Sequence, residues 1–296
     1  MPYLSTCKLC GSPRIRPRYG LDRIGLTVFE CDECSLRFVG DDLPDERIDR
    51  LYAQQELADY FVALEERHER KFAPRLREMR RLGIPSGVRV LDVGCGSGEF
   101  PALAAEAGYR AVGVDVSAPS IEAARRARPE VDFRLGTVED VAREEPEGFD
   151  VVTLWDVIEH VQRPHEVVAG CIAALRPGGL IAIGTPNGDS IYDRAAHVAY
   201  SLAPPLGRLL LLQRYSEWHL QIWTVKTLSR LLRDHGLDVV VARKHRELTA
   251  TPSLYVKQAG FKRLGAIAEA TDRFVEAAWP IRNKLTIYAR KSVATS

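Results

Sequence analysis

Four cysteines near the start of the chain fall into two C-x-x-C pairs, Cys7 with Cys10 and Cys31 with Cys34, and 20 residues separate the pairs. Two thiolates in a tight turn can converge on one ion, and two such turns complete a closed tetrahedral shell of sulfur around Zn2+. A closed shell leaves no open position for substrate or water, so the metal is expected to be structural. Gly11 supplies turn freedom after the first pair, and Leu26, Val28 and Phe29 form a short strand into the second, the layout of a zinc ribbon.

A second chemical signature begins at Val88, where an apolar strand runs V-R-V-L-D-V into Gly94, Gly96 and Gly98, and Phe100, Leu103, Ala104 and Ala107 then repeat at helical spacing. The following strand, residues 111–115, ends in Asp115, a carboxylate able to accept hydrogen bonds from both hydroxyls of a ribose. The glycines read G-x-G-x-G, whereas a dinucleotide fingerprint reads G-x-G-x-x-G, and Glu99 stands where its third glycine belongs. Asp92 and Glu99 would repel a pyrophosphate at the helix start but would tolerate a cationic sulfonium. A nicotinamide dehydrogenase is therefore disfavoured.

Two histidines are the candidates for chemistry on an acceptor. His160 follows an apolar strand at residues 149–155, at the carboxyl end of the sheet where doubly wound folds place their ligands. It reads either as a base or substrate contact, or as a residue that with Glu159 hydrogen-bonds its own loop. His219, in E-W-H-L-Q-I-W between Trp218 and Trp223, is the second candidate, with a satisfied, half-buried histidine as the other reading. Glu159 and His160 also leave a divalent metal site open as a minority reading.

The elements that must position these groups alternate strand and helix, which predicts an α/β fold with a doubly wound sheet. Pro164 opens a helix carrying Val167, Val168, Cys171, Ile172 and Leu175, and Thr224 caps another bearing Leu228, Leu231 and Leu232. Strands follow at 239–241 and 284–289. The domain boundaries expected are a zinc-ribbon module at 1–42, a helical linker or lid at 43–86 and a catalytic domain at 87–296. Asp41, Asp42, Pro44 and Asp45 mark the exit from the ribbon. The linker should lie across the mouth of the catalytic domain and be broken or restarted at Pro74.

The 296 residues carry 41 Lys and Arg against 40 Asp and Glu, a formal charge of +1. Four thiolates and one zinc would bring it to about −1. No general field attracts nucleic acid, although Arg14, Arg16, Arg18, Arg23 and Arg37 make the ribbon locally basic. No run approaches the roughly 18 apolar residues that span a bilayer, and the first residues lack a secretion signal. With four of six cysteines in metal spacing, the expectation is a reduced, cytoplasmic protein.

Across residues 87–291 the chain resembles the class I S-adenosylmethionine-dependent methyltransferases, especially the broad family of ubiquinone-type and sugar methyltransferases. V-L-D-V-G-C-G-S-G resembles its first motif and G-V-D-V-S, at 113–117, its second. F-R-L-G-T-V-E-D, F-D-V-V-T-L-W-D-V-I-E-H-V and L-R-P-G-G-L-I-A-I-G-T-P-N resemble the third to fifth. The resemblance implies a Rossmann-like, seven-stranded sheet with the last strand inserted antiparallel, and S-adenosyl-L-methionine as cofactor. It implies that Asp92, Gly94, Gly96 and Gly98 line the cofactor loop and that Asp115 holds the ribose. Val116 and Val138 would flank the adenine, Thr137 and Glu139 would sit at its amino edge, and Trp155 and Asp156 would close the pocket. Where this chain has Thr137 the family often has Asp.

Methyl transfer from a sulfonium is an in-line displacement that needs a base only for a hydroxyl or carbon acid. A hydroxyl of a sugar, glycan or lipid-linked metabolite is the acceptor expected. Carbon methylation of a deoxysugar is weakened because Tyr52 and Tyr60 do not make the Tyr- and Ser-rich linker of such relatives. An RNA-directed enzyme guided by its ribbon would need a basic groove running on from Arg14 to Arg18. A binding protein on a degenerate fold would have lost Asp115 or a motif glycine. The apolar insertion at 188–216 reads as a lid, as core or dimer packing, or as a peripheral membrane contact through 190–215 with Arg208 and Arg214 at the inner-face head groups.

Overall fold

The structure, a computed structural model, describes residues 4–21, 25–40, 65–204, 219–247 and 282–293. Arg23, the acidic exit at 41–45, Tyr52, Tyr60, Trp218, Arg208 and Arg214 lie outside the described residues, as do the first part of the linker and the second half of the insertion.

The first three strands are β1 (Ile15–Leu21), β2 (Leu26–Cys31) and β3 (Arg37–Val39), an antiparallel meander with the first cysteine pair in the turn before β1 and the second at the β2–β3 turn. Helix α1 (Glu65–Arg81) then leads into alternating units: β4 (Arg89–Val93), α2 (Glu99–Glu106), β5 (Arg110–Asp115), α3 (Ala118–Ala127), β6 (Asp132–Leu135), α4 (Val138–Glu144), β7 (Phe149–Trp155), α5 (Pro164–Ala174) and β8 (Leu175–Pro186). After α6 (Ile191–Leu202) come β9 (Gln221–Ile222), α7 (Val225–Asp234), β10 (Leu237–His245) and β11 (Lys284–Lys291).

Seven strands form the main sheet in the order β10-β11-β8-β7-β4-β5-β6. β8, β7, β4, β5 and β6 run parallel, and β11 lies antiparallel between β8 and β10. This is the Rossmann-like arrangement expected. β7 and β8 are apolar along most of their length because helices cover both faces of a parallel sheet, so their side chains have no solvent side.

α1 runs continuously through Pro74, against the expectation of a break. A proline inside a helix costs about 3 kcal/mol. Here Phe72, Leu76 and Met79 are buried on either side of it, against Phe100, Val90 and Tyr109 of the main core, and this burial offsets the loss.

The ribbon is not a bead on a string. Its sheet has a fourth strand, β9, which comes from just before α7 in the catalytic part of the chain. One apolar core contains Leu9, Leu36 and Phe38 of the ribbon together with Trp223, Leu228 and Val168.

Candidate active site

The loop after β4 turns on residues that only glycine suits. Gly94 has φ +69° and a Cβ there would lie 2.5 Å from Val157 Cγ2. Gly98 has φ +86° and a Cβ would lie 2.4 Å from Phe133. A Cβ at Gly96, by contrast, would meet no atom within 4 Å, so this residue borders open space. Asp115, at the tip of β5, reaches across: its Oδ2 accepts from the Gly96 amide at 2.9 Å and its Oδ1 from the Ser117 amide at 2.8 Å. Burial pushes its carboxyl above the usual range, and those two amides hold it partway back. Asp92 is buried below the loop, where Thr153 Oγ1 donates to it at 2.6 Å. Burial raises it to about 8 against that hydrogen bond and the charge of Lys71, with Asp115 and Glu99 adding to the rise.

The adenine-side candidates divide. Val116 stands 52% exposed at the rim. Thr137 caps α4, its hydroxyl donating to Asp140 and accepting from the Asp140 amide. Val138 is buried, with Cγ1 against Gly170 of α5, and Glu139 also lies beside Gly170. Val138 and Glu139 thus lie at the contact between α4 and α5.

Trp155 and Asp156 close the end of β7. Trp155 packs against Phe100 and Phe72 with ring centroids 5.3 and 6.3 Å away, and the Arg75 guanidinium lies over it at 5.0 Å. Asp156 has φ 58°, a left-handed conformation unusual outside glycine. Lys71 Nζ holds one carboxylate oxygen at 2.8 Å and Lys284 holds the other. Burial would raise this carboxyl, but Lys284 and Lys71 outweigh it and keep it well below the usual range. Lys284 is buried with Asp156, Glu247 and Glu159 around it. Burial lowers its ammonium, and the charges of those carboxylates more than restore it. Arg75 pairs with Glu247 in the same cluster.

The turn after β7 brings together the two histidines that lie far apart in sequence. One ligand atom each from Glu159, His160 and His219 lie within 4.8 Å of one another, and the two imidazole centroids are 4.8 Å apart. Glu159 is buried; Thr185 Oγ1 donates to its Oε2 at 2.9 Å, while Oε1 has no hydrogen-bond partner. Burial, reinforced by the charge of Asp156 and opposed by Lys284, raises Glu159 to about 8.

The sulfurs of Cys7, Cys10, Cys31 and Cys34 also lie within 4.8 Å of one another. Cys7 and Cys34 approach to 3.5 Å, Cys10 and Cys31 to 3.6 Å. The Leu9 and Leu36 amides donate to Cys7 and Cys34 at 3.4 Å each, the knuckle geometry that supports thiolates on a metal.

A family model described as a methyltransferase domain matches residues 62–242. The chain belongs to this methyltransferase domain family. A ubiquinone biosynthesis O-methyltransferase from Bordetella bronchiseptica is 41% identical over 109 residues, which is 36% of this chain and 45% of that protein. One from Xanthomonas campestris is 37% identical over 111 residues, 36% of this chain and 46% of that protein, so the chain matches under half the length of these curated relatives. Among solved structures, Haemonchus contortus phosphoethanolamine N-methyltransferase 2 in complex with S-adenosyl-L-methionine superposes with a TM-score of 0.53 at 16% identity, covering 86% of this chain and 62% of that one. These structural likenesses concern the fold alone.

Within this methyltransferase fold, the groups missed in the sequence are Lys71, Phe72, Arg75, Glu247 and Lys284. In the sequence Lys71 and Arg75 are two basic residues among the many charged ones of E-E-R-H-E-R-K-F-A-P-R-L-R-E, with nothing to set them apart. Lys284 offered one visible sign, a lysine opening the otherwise apolar strand L-T-I-Y that the sheet was expected to bury. Among the described residues no helix is long and apolar enough to cross a membrane.

Proposed function

We propose that this protein transfers a methyl group from S-adenosyl-L-methionine to a hydroxyl of a small molecule. The observation that carries this reading is Asp115, tied to Gly96 across a loop bordered by open space and flanked by Asp92 and Glu99. A carboxylate there suits a ribose diol, and the acidic surroundings suit a sulfonium rather than a pyrophosphate. The names of the O-methyltransferase relatives favour an oxygen acceptor, and a quinone-precursor ring joins the sugar, glycan and lipid-linked acceptors as a candidate. His160 and His219 face that acceptor, one of them taking the hydroxyl proton as the methyl group arrives. Cys7, Cys10, Cys31 and Cys34 hold Zn2+, which supplies a structural cross-link and no open coordination site.

A second reading of the histidine pair is favoured by the unpartnered Glu159 oxygen. Two imidazoles and a carboxylate form a donor set suited to a divalent transition metal, which would polarise the acceptor hydroxyl. Metal analysis separates the readings: two ions per chain, falling to one in His160→Ala, supports the cation, and one ion in both supports the base. The primary test is calorimetric titration of S-adenosylhomocysteine, with NAD as control. Micromolar binding of the first and none of the second is expected; binding of NAD alone would defeat the proposal.

A further inference from the structure

His219 is delivered to the histidine pair by a segment with little structure of its own. β9 is two residues long, and both of its edges are taken. On one edge the Leu220 and Gln221 amides donate to the Glu159 carbonyl at 2.8 and 3.2 Å. The Gln221 Nε2 donates to the carbonyls of Ile158 and Val161, both at 2.7 Å. On the other edge lies the ribbon: β3 pairs Arg37 with Ile222 and Phe38 with Gln221, and the Val39 amide donates to Leu220 at 2.8 Å.

The second cysteine pair forms the turn that aims β3. Cys31 ends β2, its amide donates to the Leu36 carbonyl at 3.0 Å, and the Ser35 amide donates back to Cys31 at 2.9 Å. Cys34 then accepts from Leu36, and β3 begins at the next residue. From β3 the buried Arg37 side chain continues inward. Its Nη2 donates to the Gly188 carbonyl at 2.6 Å, while the Gly188 amide donates to Trp223 at 2.8 Å, so that the far end of the His219 segment is clamped as well.

We propose that the four-cysteine ribbon is a positioning element of the active site. By closing the β2–β3 turn, the metal at Cys31 and Cys34 holds β3 against β9 and so sets His219 beside Glu159 and His160. The inference rests on reading His219 as an acceptor-side residue. It assigns the ribbon a part in the reaction beyond that of a staple for a small module.

Three full-length proteins test it: the zinc-loaded wild type, Cys34→Ser, and Arg37→Met with its cysteines intact. Amide hydrogen exchange is followed over 219–223 and over 110–117, histidine ring resonances are followed by NMR, and S-adenosylhomocysteine binding is measured beside them. Loss of the metal is expected to raise exchange over 219–223 by at least about tenfold and to move the His219 ring resonance. Exchange over 110–117 should hold, and affinity for the nucleoside should stay within about threefold. Arg37→Met should retain one zinc and show a smaller shift of the same resonance. An unmoved His219 resonance with unchanged exchange in the metal-free protein overturns the inference. An equal rise over 110–117 does so too, because the metal would then support the whole fold. If the zinc-loaded wild type does not bind S-adenosylhomocysteine, the cofactor reading falls, and the exchange comparison still decides the role of the ribbon.

Discussion

The two halves of the candidate active site are built in opposite ways. The nucleoside side comes from one continuous stretch, β4 through α4, and its defining hydrogen bond, Gly96 to Asp115, joins residues 19 apart. The side that holds Asp156, Glu247 and the two histidines is assembled from five separate segments. Lys71 reaches Asp156 across 85 residues, Lys284 reaches the same carboxylate across 128, and Arg75 meets Glu247 across 172. A local unit keeps its shape as long as its own strand, loop and helix are right. A distributed one depends on the packing of the whole molecule, and its pocket can therefore be changed from many places without disturbing the cofactor cradle.

The sharpest way to break this comparison is Lys284→Met. It leaves Asp156 and Glu247 buried with one cation fewer, and the expected cost is about 3–5 kcal/mol in urea unfolding. A cost under about 1 kcal/mol would show that the buried carboxylates are neutralised from elsewhere. Next in size is Asp115→Ala, for which S-adenosylhomocysteine affinity should fall on the order of 100-fold in calorimetry, as two charge-assisted hydrogen bonds are lost. An unchanged affinity would remove the nucleoside side from its assigned place.

The third prediction concerns Asp92, whose carboxyl is raised to about 8 from an ordinary 3.8. A folded state that holds its proton more tightly than the unfolded chain has its full stability below the ordinary value. That stability is then lost as the pH climbs to about 8. The Tm of the ligand-free protein should thus decline across this window, and Asp92→Asn should flatten the decline; superimposable pH profiles would contradict it. The smallest effect should come from Tyr19→Phe. The Tyr19 hydroxyl shares a 2.6 Å hydrogen bond with His197, and its loss should cost about 1 kcal/mol in the same urea assay. A much larger loss would mean that the contact between ribbon and α6 carries more of the fold than its geometry indicates.

What could be read from the sequence follows the same division. The glycine loop, Asp115, the cysteine pairs and the helix starts at Thr224 and Pro164 each follow local patterns, and spacing alone exposes them. The approach of His160 to His219 has no such trace, because it is created by β9 seated between the Glu159 carbonyl and the ribbon. Nor could spacing show that Val138 turns toward Gly170, an outcome decided by the neighbouring helix α5; the capping box of Thr137 with Asp140, by contrast, is three residues long and is there to be read. Pro74 illustrates the converse error, in which a local rule was overridden by tertiary burial of Phe72 and Met79.

The shared strand also imposes a birth order on the molecule. The ribbon strands leave the ribosome well before the groups they meet: His197 lies 178 residues beyond Tyr19, and Gly188 lies 151 beyond Arg37. Until Gln221 and Ile222 arrive, β3 presents a bare edge to anything that can pair with it, and two nascent copies of the ribbon could do so. A severed ribbon should accordingly tend to self-associate through the edge that β9 covers in the finished protein.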